Sequence, residues 1–101
     1  MNNTNAYKKT ANLIVLDFEG CRYIGEIHRE LKTKLGFPNF YGENWDALWD
    51  LMRGFRTDRV VIEVHGLNGL PAEFSGEIVK IKDVFNDVHE DAENIQFRYI
   101  D

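Results

Sequence analysis

The chain has little cysteine and proline and no long apolar run. Its 101 residues include one Cys, Cys21, and two Pro. A single cysteine excludes an internal disulfide, and such sparse cysteine usage favours the reducing cytoplasm. No stretch offers the roughly 20 apolar residues of a membrane span, and the polar residues 1–4 do not have the pattern of a signal peptide. These features predict a cytoplasmic protein that does not contact a membrane.

Positive charge is also scarce. The sequence has 17 Asp and Glu against 12 Lys and Arg, which gives a formal net charge of −5. Most of the excess lies in residues 60–101, where nine acids face three bases. An acidic domain repels the phosphates of nucleic acids and attracts basic partners. We therefore expect a basic protein partner and no direct binding of nucleic acid.

Length and composition predict a single domain. A chain of 101 residues with 44% hydrophobic residues can bury one modest core and is not expected to be disordered. The sequence contains no repeat, linker or low-complexity tract after its first ten residues. We expect one domain over residues 1–101, with residues 1–10 as a frayed end.

Hydrophobic periodicity predicts strands and helices that follow one another along the chain. The predicted strands are residues 13–16, residues 60–64 and Ile95–Ile100. The first predicted helix is Ile24–Leu35, and Gly36 ends it. The second begins at Trp45, is capped by Asn44 and ends at Gly54. The third follows a short turn near residues 70–74, is capped by Ser75 and carries on one face Ile78, Ile81, Phe85 and Val88.

The order of these elements predicts the fold class. The sequence strand–helix–helix–strand–helix–strand indicates a parallel sheet whose strands are joined by crossover helices. In the last strand, the apolar and aromatic residues alternate with Gln96 and Arg98. Such alternation indicates that one face of the sheet is solvated. We therefore expect a two-layer α/β fold, in which helices pack on one face of a three-stranded parallel sheet.

Residues 37–55, FPNFYGENWDALWDLMRGF, hold the most distinctive pattern in the chain. The predicted helix within them has one face at i, i+3, i+4, i+7 spacing, made of Asp46, Trp49, Asp50 and Arg53. A second face at the same spacing is the predicted core face, made of Trp45, Leu48, Met52 and Phe55, with Leu51 near them. We expect Asp46, Trp49 and Asp50 to be partly exposed beside the loop of Phe40, with Leu48 and Met52 buried.

Three interpretations of the acidic face are open from the residues alone. It can be a solvated surface with Trp49 at the edge of the core, which charge patterns of this kind usually are. It can meet a cationic partner, because an indole lies between two carboxylates one helical turn apart. It can hold a hard cation, although the stretch lacks the alternating oxygen ligands of a calcium loop. The pattern by itself favours the solvated surface.

A resemblance to a known family changes that balance. The motif consists of Phe37-Pro38, Tyr41-Gly42, Asn44-Trp45-Asp46-Ala47-Leu48-Trp49-Asp50 and Gly54. It closely resembles the barstar family of small bacterial proteins that inhibit an extracellular ribonuclease. The resemblance continues in Ile27-His28, in Leu31 and in residues 84–87, and it extends over residues 13–100. A motif of this density is far more specific than a short sequence signature, and it favours an interaction surface over a solvated one.

The resemblance implies a fold, a function and a set of binding residues. The implied fold is a three-stranded parallel sheet with helices on one side. The implied function is one-to-one inhibition of a basic extracellular or toxin ribonuclease, whose cleft is occluded by an acidic, aromatic loop and helix in place of RNA phosphates. No catalytic group, cofactor or metal is implied. The implied partner-binding residues, with Asp50 as the principal anchor and Asp46 in support, are Phe40, Asn44, Asp46, Trp49, Asp50, Gly54, Phe55 and Asp87.

This sequence departs from the family pattern at four of its positions. Phe40 stands where the family has Tyr, Phe55 where it has Trp, and Asp87 where it has Glu. Arg53 adds a cation beside the acidic face, three residues after Asp50. These differences predict a target that is related to, but different from, the ribonuclease that gives the family its name.

Two other classes of function compete with an inhibitor. One is an interaction module of the same fold whose basic partner is not a nuclease. The other is an enzyme, because two carboxylates can serve as acid and base. Carboxylates on adjacent turns of one helix lie on the same side, however, and do not flank a bond. His28, His65 and His89 are interpreted as structural residues, and a pocket that holds His65 or His89 against an acid would favour the enzyme instead.

Overall fold

The computed structural model describes residues 11–100 and contains three strands and three helices. In chain order the elements are β1 (Ala11–Asp17), α1 (Ile24–Leu35), α2 (Trp45–Arg53), β2 (Arg59–His65), α3 (Ser75–Asp91) and β3 (Ile95–Ile100). Two short 3-10 turns, Leu67–Gly69 and Ala72–Phe74, lie between β2 and α3. The predicted order of elements is confirmed. The predicted frayed end at residues 1–10 lies outside the described residues.

The strands form one parallel sheet in the order β1-β2-β3. Ile14 is paired with Ile62, and Val60 with Ile95. Along β2, Val60, Ile62 and Val64 are buried while the residues between them are partly exposed, so that the sheet has one covered and one open face. The predicted two-layer α/β fold is confirmed.

The core fills the space between the covered sheet face and the helices. Its fully buried side chains come from all three helices and from the sheet, and they include Leu16, Ile27, Leu31, Leu48, Met52, Ile62, Ile81 and Phe85. The ring of Phe85 also stacks on that of Phe97, with centroids 4.2 Å apart. Each such side chain contributes about 1.5–3 kcal/mol of transfer free energy. The predicted burial of Leu48 and Met52 is confirmed, and this burial fixes which face α2 turns outward.

The start of α3 corrects one prediction. Ser75 is already helical, with φ −56° and ψ −39°, and the capping position is taken by Phe74, which has no side-chain capping bond. The Phe74 N–H donates to the carbonyl of Pro71 at 2.9 Å. A 3-10 turn that begins after Pro71 therefore leads directly into α3, and Ser75 is not its cap.

The edge strand β1 is bridged by side chains from α1. The Asp17 N–H donates to Glu30 Oε2 at 2.8 Å, and Lys34 Nζ donates to the Val15 carbonyl at 3.5 Å. Glu30 and Lys34 also form an ion pair at 2.8 Å. The Glu30–Lys34 pair therefore binds the Asp17 N–H and the Val15 carbonyl, which lie on the side of β1 that faces away from β2. The side chain of Leu13 on the same strand is exposed.

Candidate functional site

Asn44 organises the start of α2. Its backbone is extended, its Oδ1 accepts the Ala47 N–H at 2.8 Å, and its Nδ2 donates to the Gly42 carbonyl at 3.3 Å. The predicted N-cap is therefore confirmed, and replacing such a cap with Ala costs about 1 kcal/mol. The side chain of Asn44 joins the loop of residues 37–44 to the helix that displays the acids.

The acidic face of α2 is turned to solvent. Asp46 and Asp50 are exposed, and Trp49 between them is half-buried against the core. Within residues 11–100, neither carboxylate has an ion-pair or hydrogen-bond partner. The predicted exposure of this face is confirmed, and its two carboxylates bind no other residue in the described part of the chain.

Phe40 is displayed by a loop whose neighbouring residues are fixed. Its side chain is 81% exposed, whereas Phe37 and Tyr41 on either side are buried. The rings of Phe37 and Tyr41 lie 5.1 Å apart, and the Tyr41 hydroxyl is 2.6 Å from Nδ1 of buried His28. Aromatic side chains are enriched in protein interfaces. The loop thus holds an aromatic ring in solvent next to α2.

Glu43 is a feature of the site that the sequence did not reveal. Its φ is +54°, the left-handed region that side chains other than Gly and Asn rarely adopt. Such a conformation costs of order 1–3 kcal/mol and is found most often at binding sites. No sequence signal indicates it, because the residue at this position is neither Gly nor Asn.

Helix α3 adds a second wall to this surface. Trp45 Nε1 donates to Glu77 Oε1 at 2.9 Å, which joins α2 to the first turn of α3. One turn further along α3, exposed Lys80 lines a surface depression with Asn44, Trp45 and Asp46. The helices therefore place a cation of α3 beside the first acid of α2.

Asp87 lies further along the same helix. It is exposed and follows Lys80 by seven residues, on the same side of α3 and about 10 Å along its axis. Among the described residues, no hydrogen bond or ion pair joins Asp87 to Asp46 or Asp50. The structure therefore brings together the Phe40 loop and the acids of α2, with Asp87 as a separate contribution from α3.

Gly54 ends α2, as predicted, but without a left-handed conformation. Its φ is −110° and its ψ 24°, and a Cβ built on it would meet nothing within 4 Å. The fold thus has no need for glycine at this position. Phe55 is partly buried, and its ring lies edge-on to Phe37 with centroids 6.3 Å apart. Phe55 is first of all a residue at the margin of the core, and its predicted contact with a partner stays a prediction.

The histidines have structural partners. His28 is buried, and desolvation lowers its pKa from 6.5. The same loss of solvent raises the pKa of the Tyr41 hydroxyl, so the pair is neutral and joins α1 to the loop. His89 Nδ1 lies 2.7 Å from the Ile95 carbonyl and ties α3 to β3. The predicted packing role of His28 is confirmed, and the structural interpretation of His89 stays a prediction.

His65 is the histidine that lies against an acid. Its Nε2 is 3.1 Å from Glu63 Oε1, and Arg98 binds the other oxygen of Glu63 at 3.3 Å. Asp17 and Glu19 border the same shallow depression. In the part of the chain that the structure describes, no nucleophile hydrogen-bonds to His65 and no His, Cys, Asp and Glu cluster is suited to a metal ion. Glu63 is thus shared between His65 and Arg98 on the open sheet face. A depression that holds His65 beside acids is the feature named above as favouring an enzyme, and in the described residues it lacks a nucleophile bonded to that histidine.

Comparisons with known proteins agree with this geometry. A family model described as "Barstar (barnase inhibitor)" matches residues 11–100. Over 42 residues the chain is 45% identical to a Bacillus subtilis (strain 168) protein named "Putative ribonuclease inhibitor YrdF". That alignment covers 42% of this chain and 46% of the relative, so the similarity spans about half of the curated relative's length.

No helix of the described residues is long and apolar enough to cross a membrane.

The family match covers every described element, from β1 to β3. It includes the Phe40 loop, the acidic face of α2 and the part of α3 that carries Asp87. Members of this family are inhibitors of ribonucleases and not enzymes. On the strength of the matched family model and of the parallel sheet beneath the exposed acidic helix, this chain belongs to the barstar family of ribonuclease inhibitors.

Proposed function

We propose that this protein inhibits a basic extracellular or toxin ribonuclease, one-to-one, by filling its active-site cleft with the Phe40 loop and α2. The observation that carries the proposal is the state of Asp46 and Asp50, which are exposed and unpaired within residues 11–100. An acidic pair that has no partner among the described residues, beside an aromatic ring that is 81% exposed, is suited to a basic protein surface.

The proposed mechanism is occlusion combined with charge mimicry. A ribonuclease cleft is cationic because it holds the phosphates of RNA. Carboxylates at the positions of phosphates accept charge-assisted hydrogen bonds from Arg, Lys or protonated His. Complementary charge also accelerates association and rejects wrong partners. The inhibitor itself performs no chemistry in this mechanism.

Preorganisation supports the same proposal. The His28–Tyr41 hydrogen bond, the Asn44 cap and the Trp45–Glu77 hydrogen bond fix the loop and the start of α2 before a partner arrives. A surface that is already ordered loses less conformational entropy on binding. The left-handed conformation of Glu43 is consistent with a loop whose shape is dictated by its surroundings.

We further propose that the target differs from barnase and that the protein acts in the cytoplasm as an immunity protein. Phe40 and Phe55 lack the polar atoms of Tyr and Trp, and Asp87 has a shorter reach than Glu. These changes alter hydrogen bonding and reach within the proposed interface, and such differences change which partner is bound most tightly.

Inhibition assays test the proposal directly. The purified protein is titrated into barnase and a panel of toxin ribonucleases, with RNA cleavage and calorimetric stoichiometry as readouts. We expect one-to-one inhibition of at least one enzyme. Asp50→Asn should weaken that inhibition, whereas Glu19→Gln, which removes the same charge from the loop after β1, should not. Absence of binding to the whole panel at micromolar concentration would contradict the proposal and favour an interaction module with another basic partner.

A further inference from the structure

Arg53 is a cation on a surface proposed to bind cations. Its guanidinium carbon lies 4.4 Å from the ring centroid of Trp49. It is exposed, and it follows Asp50 by three residues and Asp46 by seven, so all of them share one face of α2. Yet within residues 11–100 no carboxylate forms an ion pair with Arg53. Arg53 therefore makes no direct ion pair with the acids beside it in the described part of the chain.

The stack on Trp49 determines what Arg53 can still bind. The guanidinium carbon lies over the indole, and the N–H donors lie in the plane of the guanidinium around that carbon. Those donors match the two oxygens of a carboxylate. The stack also holds a long side chain in one place before binding, and this lowers the entropic cost of a new contact. Arg53 is thus a donor held near Trp49 that has no carboxylate partner within residues 11–100.

Lys80 is a second cation, at the other end of the acidic face. It is exposed and lies beside Asn44 and Asp46, where α3 meets the start of α2. It too has no ion-pair partner among the described residues. The acids of α2 are therefore bracketed by two unpaired cations, one near Asp46 and one a turn after Asp50.

We propose that Arg53 is a specificity-determining residue that binds a carboxylate of the target nuclease, and that this target carries an acidic side chain beside its basic cleft. The inference rests on the proposed function and adds the charge pattern of the partner. Against a uniformly basic rim, Arg53 would face like charges as water is excluded, which strongly disfavours binding. Arg53 would thus strengthen binding to a nuclease with an acidic side chain at this place and weaken binding to a nuclease with a uniformly basic rim.

The test uses the panel ribonuclease that the wild-type protein inhibits most tightly, with barnase as a second probe. Arg53→Gln should weaken binding to the first enzyme about tenfold, and Arg53→Glu about a hundredfold or more, because reversal adds repulsion to the lost pair. Arg98→Gln is the matched control, since it removes one positive charge from the open sheet face. It should leave binding within about twofold, as expected of a distant screened charge. Melting curves verify that each variant is folded.

A charge-swap experiment identifies the proposed carboxylate. Each Asp and Glu at the rim of the nuclease cleft is changed to Lys, and each variant is paired with wild-type protein and with Arg53→Glu. One of these reversals should restore binding of Arg53→Glu by tenfold or more, as a coupled pair does. If Arg53→Glu binds as tightly as wild type, or if no reversal rescues it, the inference is wrong.

The outcomes separate this inference from the proposed function. If no ribonuclease of the panel is inhibited by the wild-type protein, both fail. If inhibition is one-to-one and depends on Asp50 but not on Arg53, the inhibitor proposal stands and the carboxylate contact is refuted. An Arg53→Lys variant adds a further readout, because an ammonium keeps the charge without the planar donors. It should bind more weakly than wild type and more tightly than Arg53→Gln.

Discussion

Replacing Asp50 with Ala should weaken binding to the target without lowering the stability of the free protein. In the free protein Asp50 is exposed and makes no ion pair within residues 11–100, so its removal breaks no ion pair there. Asp46 lies one turn away, at a Cβ separation of about 6 Å. Two like charges at about 6 Å repel by roughly 0.7 kcal/mol in water. Salt screening over a Debye length of about 10 Å reduces this to about 0.4 kcal/mol. The free Asp50→Ala protein should therefore be as stable as wild type or slightly more stable.

Binding should respond in the opposite direction. In the proposed complex, Trp49 next to Asp50 is covered, and the Asp50 carboxylate is desolvated while it accepts hydrogen bonds from partner cations. A hydrogen bond to a charged group contributes about 1.5–3 kcal/mol, which corresponds to roughly a 10- to 150-fold loss of affinity. The loss should appear mainly in the dissociation rate, because the partner cations are left buried without an acceptor.

The assay compares Asp50→Ala with Asp87→Ala. Association and dissociation rates are measured on an inhibited ribonuclease at two salt concentrations, together with thermal melting of the free proteins. Asp87 lies on α3 and is exposed, so its variant should change mainly the association rate and its salt dependence. Wild-type affinity of Asp50→Ala, or a loss that follows a lower melting temperature, would show that Asp50 is not the anchor.

Three further predictions concern the scaffold that holds the site. Gly66→Ala should lower the free energy of unfolding by more than about 1 kcal/mol in urea titrations, because Gly66 has φ +85° and a Cβ would lie 2.6 Å from the Glu19 nitrogen. Gly54→Ala, where a Cβ meets open space, should be neutral for stability and serves as its control; a similar loss in both would refute the steric argument. Tyr41→Phe should lower the free energy of unfolding by about 1–3 kcal/mol, because the Nδ1 of buried His28 loses its hydrogen-bond partner. An unchanged unfolding midpoint in urea would argue against a structural role for that hydrogen bond. The pKa of His28 is lowered from 6.5 in the folded protein, so the stability that neutral His28 contributes is complete above pH 6.5 and is lost as pH falls below 6.5 and through the folded-state pKa. The melting temperature of the protein should therefore drop over this pH window. A His28→Gln variant whose melting temperature drops equally steeply would contradict the assignment to His28.

Local sequence signals predicted most of the fold. The apolar runs of the strands and the two stripes of α2 are dictated by neighbours within a few residues, so their spacing could be read directly. The same spacing predicted that Leu48 and Met52 point inward and that Asp46 and Asp50 point outward. The start of α3 was assigned wrongly to a Ser75 cap, because the 3-10 turn after Pro71 extends the helical path without any capping side chain.

The features that the sequence did not predict depend on contacts and backbone conformations that residue spacing does not determine. The proximity of Lys80 to Asp46 depends on how α3 crosses α2, which joins residues more than 30 positions apart in the chain. The left-handed conformation of Glu43 has no compositional signal. Spacing placed Trp49 and Arg53 on one face, but only the side-chain conformation shows that the guanidinium covers the indole.

The Glu30–Lys34 pair also has a consequence for self-association. An unpaired strand at the border of a sheet is a template onto which another chain can add by backbone hydrogen bonding, a route to aggregates. Here a second chain that docked along β1 would have to displace the carboxylate on the Asp17 N–H and the ammonium on the Val15 carbonyl. Both groups are charged, so their displacement costs more than the exchange of neutral backbone bonds. Helix α1, whose His28 contacts Tyr41 of the Phe40 loop, thereby also protects the β1 edge of the sheet against strand addition.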